Sequence, residues 1–209
     1  MLTVGDIFPD FHLDGVNEKN EMVKYNFADL NKWSVIYFYP KDFTFICPTE
    51  IAEMDRLVDE NVFVMGVSGD NEFCKLNWKQ SNPLISDIRH PLIADCGLSL
   101  SEDLGVVAFE EGVCLRATFI VDPEQVIQHV SVNALDTGRN VDEIIIESKQ
   151  TIQKANQAID TAINIVKNGV MLLMLKFKFK FDSSKIKGVR INIPPAGAGM
   201  PSKKFIFQD

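Results

Sequence analysis

Paired cysteines are absent from the sequence. Its four cysteines, at positions 47, 74, 96 and 114, form no Cys-x-x-Cys pair, so their spacing fits neither a disulfide framework nor a zinc site. The histidines are scattered without ligand spacing and are predicted to be solvated or core side chains: His12, His90 and His129. Gly-x-x-x-x-Gly-Lys and Gly-x-Gly-x-x-Gly loops are also missing. We therefore expect no metal and no organic cofactor, but redox or catalytic use of one cysteine.

Long apolar segments are missing too. The first residues contain neither the basic cluster nor the apolar stretch of a signal peptide, and no run is long enough for a membrane span. A hydrophobic share of 46% with 24% charged residues is ordinary for a globular protein. The sequence thus predicts one main domain in the cytoplasm, with no membrane span.

Positive charge is scarce in most of the chain and concentrated near its end. Residues 170–209 hold eight Lys or Arg against only Asp182 and Asp209. Of the 21 basic and 29 acidic residues, 13 and 27 remain in residues 1–169, a net charge of −14. Such an acidic body argues against nucleic-acid binding. The shift in composition predicts a domain at 1–166 and an atypical basic tail at 167–209.

The most informative feature present is a cysteine that follows a strand. The β-branched and aromatic run at 33–39 predicts a buried strand that stops at Pro40. Residues 47–60 predict a helix whose apolar side chains share one face: Ile51, Met54, Leu57 and Val58. Cys47 therefore stands at a helix start, where unpaired N–H groups and the helix dipole stabilise a thiolate, and Pro48 suits the first turn. Cys47 is the predicted nucleophile.

A hydroxyl is placed near this cysteine. Thr44 lies three residues before Cys47, which is about one helical turn, so its side chain is expected to reach the sulfur or a bound substrate oxygen.

The rest of the chain alternates predicted strands and helices. Strands are predicted at 62–68, 91–95, 117–121 and 126–132, and the last two form an antiparallel hairpin around the turn at 122–125. Helices are predicted at 72–80, at 99–104 with a Ser99 or Ser101 cap and a stop at Gly105, and from Asn140 or Asp142 towards Val166. This order predicts a three-layer α/β fold with a central mixed sheet and a site at the carboxyl edge of its strands.

The segment around the cysteine resembles a known family. Pro-x-x-x-Thr-x-x-Cys within residues 40–51 is similar to the active-site segment of peroxiredoxins of the alkyl hydroperoxide reductase C type. Further segments match in the family's order: 4–6, 8–11, 91–95, 100–106, 116–122 and 138–143. Together they span about residues 2 to 146. The resemblance implies a thioredoxin-like fold and the reduction of hydrogen peroxide and organic hydroperoxides.

The resemblance also implies roles for individual residues. Cys47 becomes the peroxidatic cysteine, Arg116 joins it in the active site, Thr44 hydrogen-bonds the peroxide and Pro40 shields the site from water. A guanidinium near the sulfur favours the thiolate and holds peroxide oxygens as charge moves to the leaving group. Three residues have supporting positions: Glu50 and Arg139 as a pair that orients Arg116, and Trp78 at the border of the pocket or in the core.

The family's resolving cysteine is not found. In typical two-cysteine relatives it follows the last helix, whereas this chain has no cysteine after Cys114. Three explanations stay open: an external thiol completes the cycle, another cysteine of the chain substitutes, or a foreign reading frame has replaced the native end, which the charge reversal favours. Cys74 is the plausible internal substitute, because Cys96 and Cys114 lie in or beside strand-like segments and are predicted to be buried structural thiols.

The sequence therefore predicts a thiol-dependent peroxidase whose substrate is a peroxide. Its expected electron donor is thioredoxin or a thioredoxin-like reductase component, and the protein is expected to assemble as a homodimer or larger homo-oligomer. One rival is a non-catalytic holdase chaperone or interaction scaffold on the same body. A second, a thiol–disulfide oxidoreductase, is disfavoured by the absent Cys-x-x-Cys pair. In the tail, Lys and Phe alternate at 176–181 with the period of a strand, and 194–199 is typical of a flexible linker.

Overall fold

Strands of both directions build a central sheet in the computed structural model, which describes residues 1–60, 62–176, 190–193 and 203–206. In chain order the first nine strands are β1 (His12–Val16), β2 (Met22–Asn26), β3 (Ser34–Phe38), β4 (Phe63–Ser68), β5 (Leu92–Ala94), β6 (Val107–Ala108), β7 (Val113–Cys114), β8 (Arg116–Val121) and β9 (Ile127–Asn133). Among the described residues, seven of them form one sheet in the order β2-β1-β5-β4-β3-β8-β9. The pairs β3·β4 and β4·β5 are parallel and the other pairs are antiparallel. The predicted mixed sheet is confirmed.

The predicted hairpin is confirmed as β8 and β9. Its turn is stabilised by the Asp122 carboxylate, which accepts hydrogen bonds from the backbone N–H groups of Glu124 and Val126, each at 2.9 Å. The strands β1 and β2 were not predicted: only Gly15 and Val16 of β1 are buried, and every residue of the edge strand β2 is exposed or half-buried.

Four helices accompany the sheet in the described part of the chain: α1 (Cys47–Met54), α2 (Glu72–Ser81), α3 (Ser99–Leu104) and α4 (Val141–Lys176). The helix predicted at 47–60 ends at Met54 and continues as a 3-10 segment, Asp55–Glu60. The predicted Asn140 start of α4 is confirmed, since its Oδ1 accepts from the Glu143 N–H at 3.3 Å.

The predicted serine cap of α3 is wrong. The Asp95 carboxylate accepts from the backbone N–H groups of Leu100 at 3.3 Å and Ser101 at 2.9 Å, so an aspartate before the helix supplies the cap. The predicted stop is confirmed, because Gly105 adopts a left-handed φ of +73° at the end of the helix.

Both faces of β3 are buried, which explains its unbroken apolar sequence. Ile36 and Phe38 point into one core cluster with Phe8, Phe27 and Phe119. Val35 and Tyr37 point into the other cluster, which contains Cys47, Ile51 and Trp78. Each fully buried large apolar side chain contributes about 1.5–3 kcal/mol. The second cluster fixes the start of α1 against the sheet.

The chain divides into two units, Met1–Gln157 and Ala158–Asp209, and each is described by itself. The first holds the seven-stranded sheet, and the second contains an antiparallel pair, β10 (Arg190–Ile193) and β11 (Lys203–Ile206). The domain boundary at 166/167 stays a prediction. The predicted strand at 176–181, apart from Lys176, and the predicted linker at 194–199 lie outside the described residues.

Candidate active site

Strand direction brings the predicted site together. The parallel pair β3·β4 places the loop after β3 at the carboxyl edge of the sheet, and α1 begins there with Cys47 as its first residue. Because β8 runs antiparallel to β3, its first residue, Arg116, lies at the same edge. Two residues that are 69 positions apart therefore meet at one end of the sheet.

Cys47 lies against a cavity of about 300 Å³. The cysteine is 1% exposed, and the cavity is lined by Pro40, Thr44, Ile46, Arg116 and Leu135, among others. The walls are largely apolar and the cavity is open to solvent, so a small polar ligand that enters exchanges part of its surrounding water for protein contacts.

Arg116 is held in place by three contacts. Its Nη1 donates to the Sγ of Cys47 at 3.6 Å and also to a carboxylate oxygen of Glu50. Its Nε donates to the Leu135 carbonyl at 2.9 Å. The side chain is 5% exposed, so its positive charge acts on the sulfur in a desolvated environment. Arg116 also lines the cavity, so its side chain contacts both the sulfur and the space that a ligand would occupy.

Glu50 joins the two arginines that the sequence analysis singled out. It lies one turn after Cys47 on α1, and its Oε1 accepts from the Arg139 backbone N–H at 2.8 Å and from Arg139 Nε at 3.4 Å. Arg139 also donates to the Phe38 carbonyl and lies over the Tyr37 ring at 5.2 Å. Burial lowers the pKa of Arg139, and the Glu50 carboxylate opposes that shift. The predicted pair of Glu50 and Arg139 is present.

Thr44 lines the cavity, although not in the predicted way. α1 begins only at Cys47, so Thr44 lies in the preceding loop rather than one helical turn away. Its hydroxyl donates to the Lys41 carbonyl at 3.1 Å, which leaves the oxygen free to accept. Pro40 lies on the cavity wall, as expected of a shielding residue.

Trp78 occupies the core and not the cavity wall. It is 1% exposed and packs against Tyr39 and Phe43 with ring centroids 6.2 and 5.9 Å apart. The core interpretation of this residue is the one the structure supports. Phe43 connects it to the loop that carries Thr44.

A buried network beneath Arg139 was not predicted. The Tyr37 hydroxyl lies 2.7 Å from His90 Nε2, and His90 Nδ1 lies 2.9 Å from an oxygen of Asp55. Burial lowers the pKa of His90, which favours the neutral ring. Because the Asp55 carboxylate can only accept a hydrogen bond, Nδ1 of His90 carries the ring proton, and Nε2 accepts from the Tyr37 hydroxyl. Partial burial raises the pKa of Asp55, but hydrogen bonds from His90 and Arg89 lower it to about 2. No local motif links these three residues.

The pKa values of the other three cysteines are raised above the ordinary thiol value. Burial, with help from Asp42 and Asp70, raises the pKa of the half-buried Cys74 to about 11. Cys114 is buried as predicted, and its pKa is also raised to about 11, chiefly by desolvation. The prediction that Cys96 is buried is wrong: it is exposed, and partial desolvation raises its pKa.

An arginine in contact with a buried cysteine, beside a cavity at the carboxyl edge of a mixed sheet, is an arrangement typical of thiol-based redox enzymes. The model of the AhpC/TSA family matches residues 4–130, and the chain belongs to that family. Alkyl hydroperoxide reductase C of Mycolicibacterium smegmatis is 38% identical over 161 residues, which cover 69% of this chain and 82% of that protein. The chloroplastic 2-Cys peroxiredoxin BAS1 of Arabidopsis thaliana is 39% identical over 165 residues, but these span only 60% of its length and 72% of this chain.

Solved structures agree with the sequence relatives. The crystal structure of Enterococcus faecalis AhpC matches with a TM-score of 0.72 at 31% identity, covering 76% of this chain and 97% of that one. Mycobacterium tuberculosis AhpC matches with a TM-score of 0.66 at 36% identity, covering 72% and 98%. The predicted thioredoxin-like fold is confirmed. None of the helices in the described part of the chain has the length and apolarity that a membrane crossing requires.

Proposed function

We propose that Cys47 is the peroxidatic thiol of a thiol-dependent peroxidase that reduces hydrogen peroxide and organic hydroperoxides. The observation that carries the proposal is the 3.6 Å contact between Arg116 Nη1 and Cys47 Sγ beside the cavity. Membership in the AhpC/TSA family supports the peroxidase and antioxidant function and does not favour the scaffold alternative.

The first step oxidises the sulfur by two electrons. The Cys47 thiolate attacks one peroxide oxygen, an S–O bond forms and the O–O bond breaks, which leaves Cys47 as a sulfenic acid. The departing oxygen takes up a proton and leaves as water or an alcohol. The guanidinium of Arg116 stabilises the negative charge that builds up on that oxygen.

The neighbouring residues position this reaction. Thr44 accepts a hydrogen bond from the protonated peroxide oxygen, and Pro40 keeps water away from the sulfur. Glu50 and Arg139 fix the guanidinium of Arg116 through the contacts between them, which limits the reorganisation that the reaction requires.

The sulfenic acid is then reduced by an external thiol. Two equivalents of thiol convert it to the Cys47 thiol, one disulfide and water. The raised pKa values of Cys74, Cys96 and Cys114 disfavour the thiolate that an internal resolving cysteine needs. Thioredoxin is a candidate donor, since a Drosophila melanogaster relative, 40% identical over 121 residues, is a thioredoxin-dependent peroxide reductase.

Assembly and compartment belong to the same proposal. A homodimer or larger homo-oligomer fits the family, and sedimentation of the full chain tests it, with a monomer as the contradicting result. Its four free cysteines suit a reducing compartment such as the cytoplasm.

The direct test follows the sulfur. Reduced protein is treated with one equivalent of hydrogen peroxide, and sulfenic acid is trapped with dimedone and mapped by mass spectrometry. We expect rapid labelling of Cys47, loss of peroxide consumption in Cys47→Ser, and normal consumption in the matched Cys96→Ser variant. Full activity of Cys47→Ser would overturn the assignment, and a disulfide between Cys47 and another cysteine would replace external with internal resolution.

A further inference from the structure

A second group of reactive side chains lies behind the active-site loop. Asp42, Asp70 and Cys74 each offer one ligand atom, and these atoms all lie within 4.8 Å of one another. Asp42 belongs to the loop between Pro40 and Thr44, Asp70 follows β4, and Cys74 lies in the first turn of α2. The cluster thus connects three segments and takes no part in the proposed peroxide reaction.

The two oxygens of Asp42 have unequal surroundings. Oδ1 accepts from the Tyr39 hydroxyl at 2.8 Å, from Ser68 Oγ at 3.4 Å and from Lys75 Nζ at 3.5 Å. Oδ2 is buried without a conventional hydrogen-bond partner, the whole residue is only 6% exposed, and the Cys74 thiol interacts with the same carboxylate. An unpartnered buried carboxylate oxygen is costly, so this atom has unused capacity for a donor or a cation.

Charge in the cluster points to a cation. The Lys75 ammonium pairs with Asp42, and the Asp70 carboxylate accepts a hydrogen bond from Ser68, which also contacts Lys75. Lys75 Nζ is already engaged by Tyr39 at 3.0 Å and Ser68 at 2.6 Å, and it lies on the Oδ1 side. The two carboxylates and the ammonium together leave one net negative charge, and a Cys74 thiolate would make it two. A divalent ion neutralises that total.

We propose that Asp42, Asp70 and Cys74 bind a thiophilic divalent cation such as Zn²⁺. Asp42 Oδ2, a carboxylate oxygen of Asp70 and the sulfur of Cys74 supply three ligands, and water completes the tetrahedron. Zinc bonds to oxygen and sulfur measure about 2.0–2.3 Å, so small rotations of the half-buried Asp70 and Cys74 side chains bring the three atoms onto one ion. Binding releases the thiol proton to solvent.

Such an ion would attach the active-site loop to α2. The Asp42 backbone N–H already donates to Asp70 Oδ2 at 2.8 Å, and a shared metal adds a second connection between the same two residues. The inference stands apart from the peroxidase proposal, because neither Cys47 nor Arg116 takes part in it.

The experiment titrates the reduced, full-length protein with Zn²⁺ by calorimetry and with Co²⁺ by absorption. We expect one equivalent to bind, with a sulfur-to-cobalt charge-transfer band in the wild type and in the matched thiol variants Cys47→Ser and Cys96→Ser. Cys74→Ser, which is nearly isosteric, should weaken binding at least tenfold and remove the band, while its thermal melt matches the wild type.

A second measurement identifies the ligand by residue. Saturating Zn²⁺ should slow iodoacetamide alkylation of Cys74 severalfold and leave Cys96 unaffected, as read by mass spectrometry. Four results would each overturn the proposal. Three concern the cobalt band: its persistence in Cys74→Ser, its loss in Cys47→Ser, or its absence at a large excess of Co²⁺. The fourth is equal alkylation of Cys74 with and without zinc.

Discussion

Cys47 and Cys74 occupy similar backbone positions but have opposite electrostatic surroundings. Each lies in the first turn of a helix, where the backbone N–H groups favour a thiolate. Cys47 has the guanidinium of Arg116 at 3.6 Å, whereas desolvation, followed by the charges of Asp42 and Asp70, raises the pKa of Cys74 to about 11. A helix start is therefore not sufficient for a reactive thiol. We infer that desolvation and the neighbouring charge together separate the proposed nucleophile, Cys47, from the candidate metal ligand, Cys74.

Removing the charge at Cys47 tests this comparison most strongly. We expect Arg116→Gln to lower the rate of peroxide reduction by roughly 10²–10³-fold, the usual cost of losing a preorganised charge donor. Stopped-flow measurement of Cys47 oxidation gives the rate, and Arg116→Lys is the control that keeps charge without the planar fork. A rate within a factor of about two of the wild type for Arg116→Gln would show that the helix start alone activates the cysteine.

Removing the Thr44 hydroxyl should slow the reaction of Cys47 with peroxide less than removing the Arg116 charge does. Thr44→Val keeps the shape and removes the hydroxyl, and one lost hydrogen bond of about 1–1.5 kcal/mol corresponds to a roughly tenfold slower reaction with peroxide. Thr49→Val is the matched control, because the Thr49 hydroxyl donates to the Ile46 carbonyl in the same region and does not line the cavity. Equal slowing in both variants would contradict a direct contact between Thr44 and peroxide.

Neutralising an acid beside Cys74 should make the two thiols more alike. Asp70 raises the pKa of Cys74, so Asp70→Asn should move that pKa down from about 11. More thiolate then exists at pH 8, and alkylation of Cys74 by iodoacetamide in the presence of EDTA should become severalfold faster. Mass spectrometry of a pH series gives the midpoint, with Cys47 as the internal reference. An upward or unchanged midpoint for Cys74 would remove the electrostatic explanation.

The buried network under Arg139 should be visible in the pH dependence of stability. His90 has a pKa below its ordinary 6.5 in the folded protein, so the unfolded chain binds more protons than the folded one as the pH falls below 6.5. The free energy of unfolding should therefore decrease on acidification from this point. His90→Gln should flatten the dependence, measured by urea unfolding at several pH values, and the exposed His12→Gln is the control. A slope unchanged by His90→Gln would contradict a neutral buried histidine.

Much of the site could be predicted because its signals are local. Cys47, Thr44 and Glu50 lie within one loop and one helical turn, and strand β3 has an unmistakable apolar run. The missed features depend on contacts between distant segments. The Asp55 carboxylate accepts from the Arg89 backbone N–H at 2.6 Å and contacts His90. Asp55 lies where α1 ends and a 3-10 segment begins, and the helix sequence gives no signal of that change.

The placement of Arg116 and Arg139 after the nucleophile has a consequence during synthesis. Cys47 emerges from the ribosome first, while the Arg139 backbone that holds Glu50 follows 89 positions after that glutamate. At elongation rates of about 5–20 residues per second, the delay is on the order of ten seconds. Arg116 is synthesised within that interval, but the contact between Arg139 and Glu50 forms only after residue 139 has been added. The order of residues along the chain thus makes the contact between Glu50 and Arg139 one of the last parts of the site to be completed.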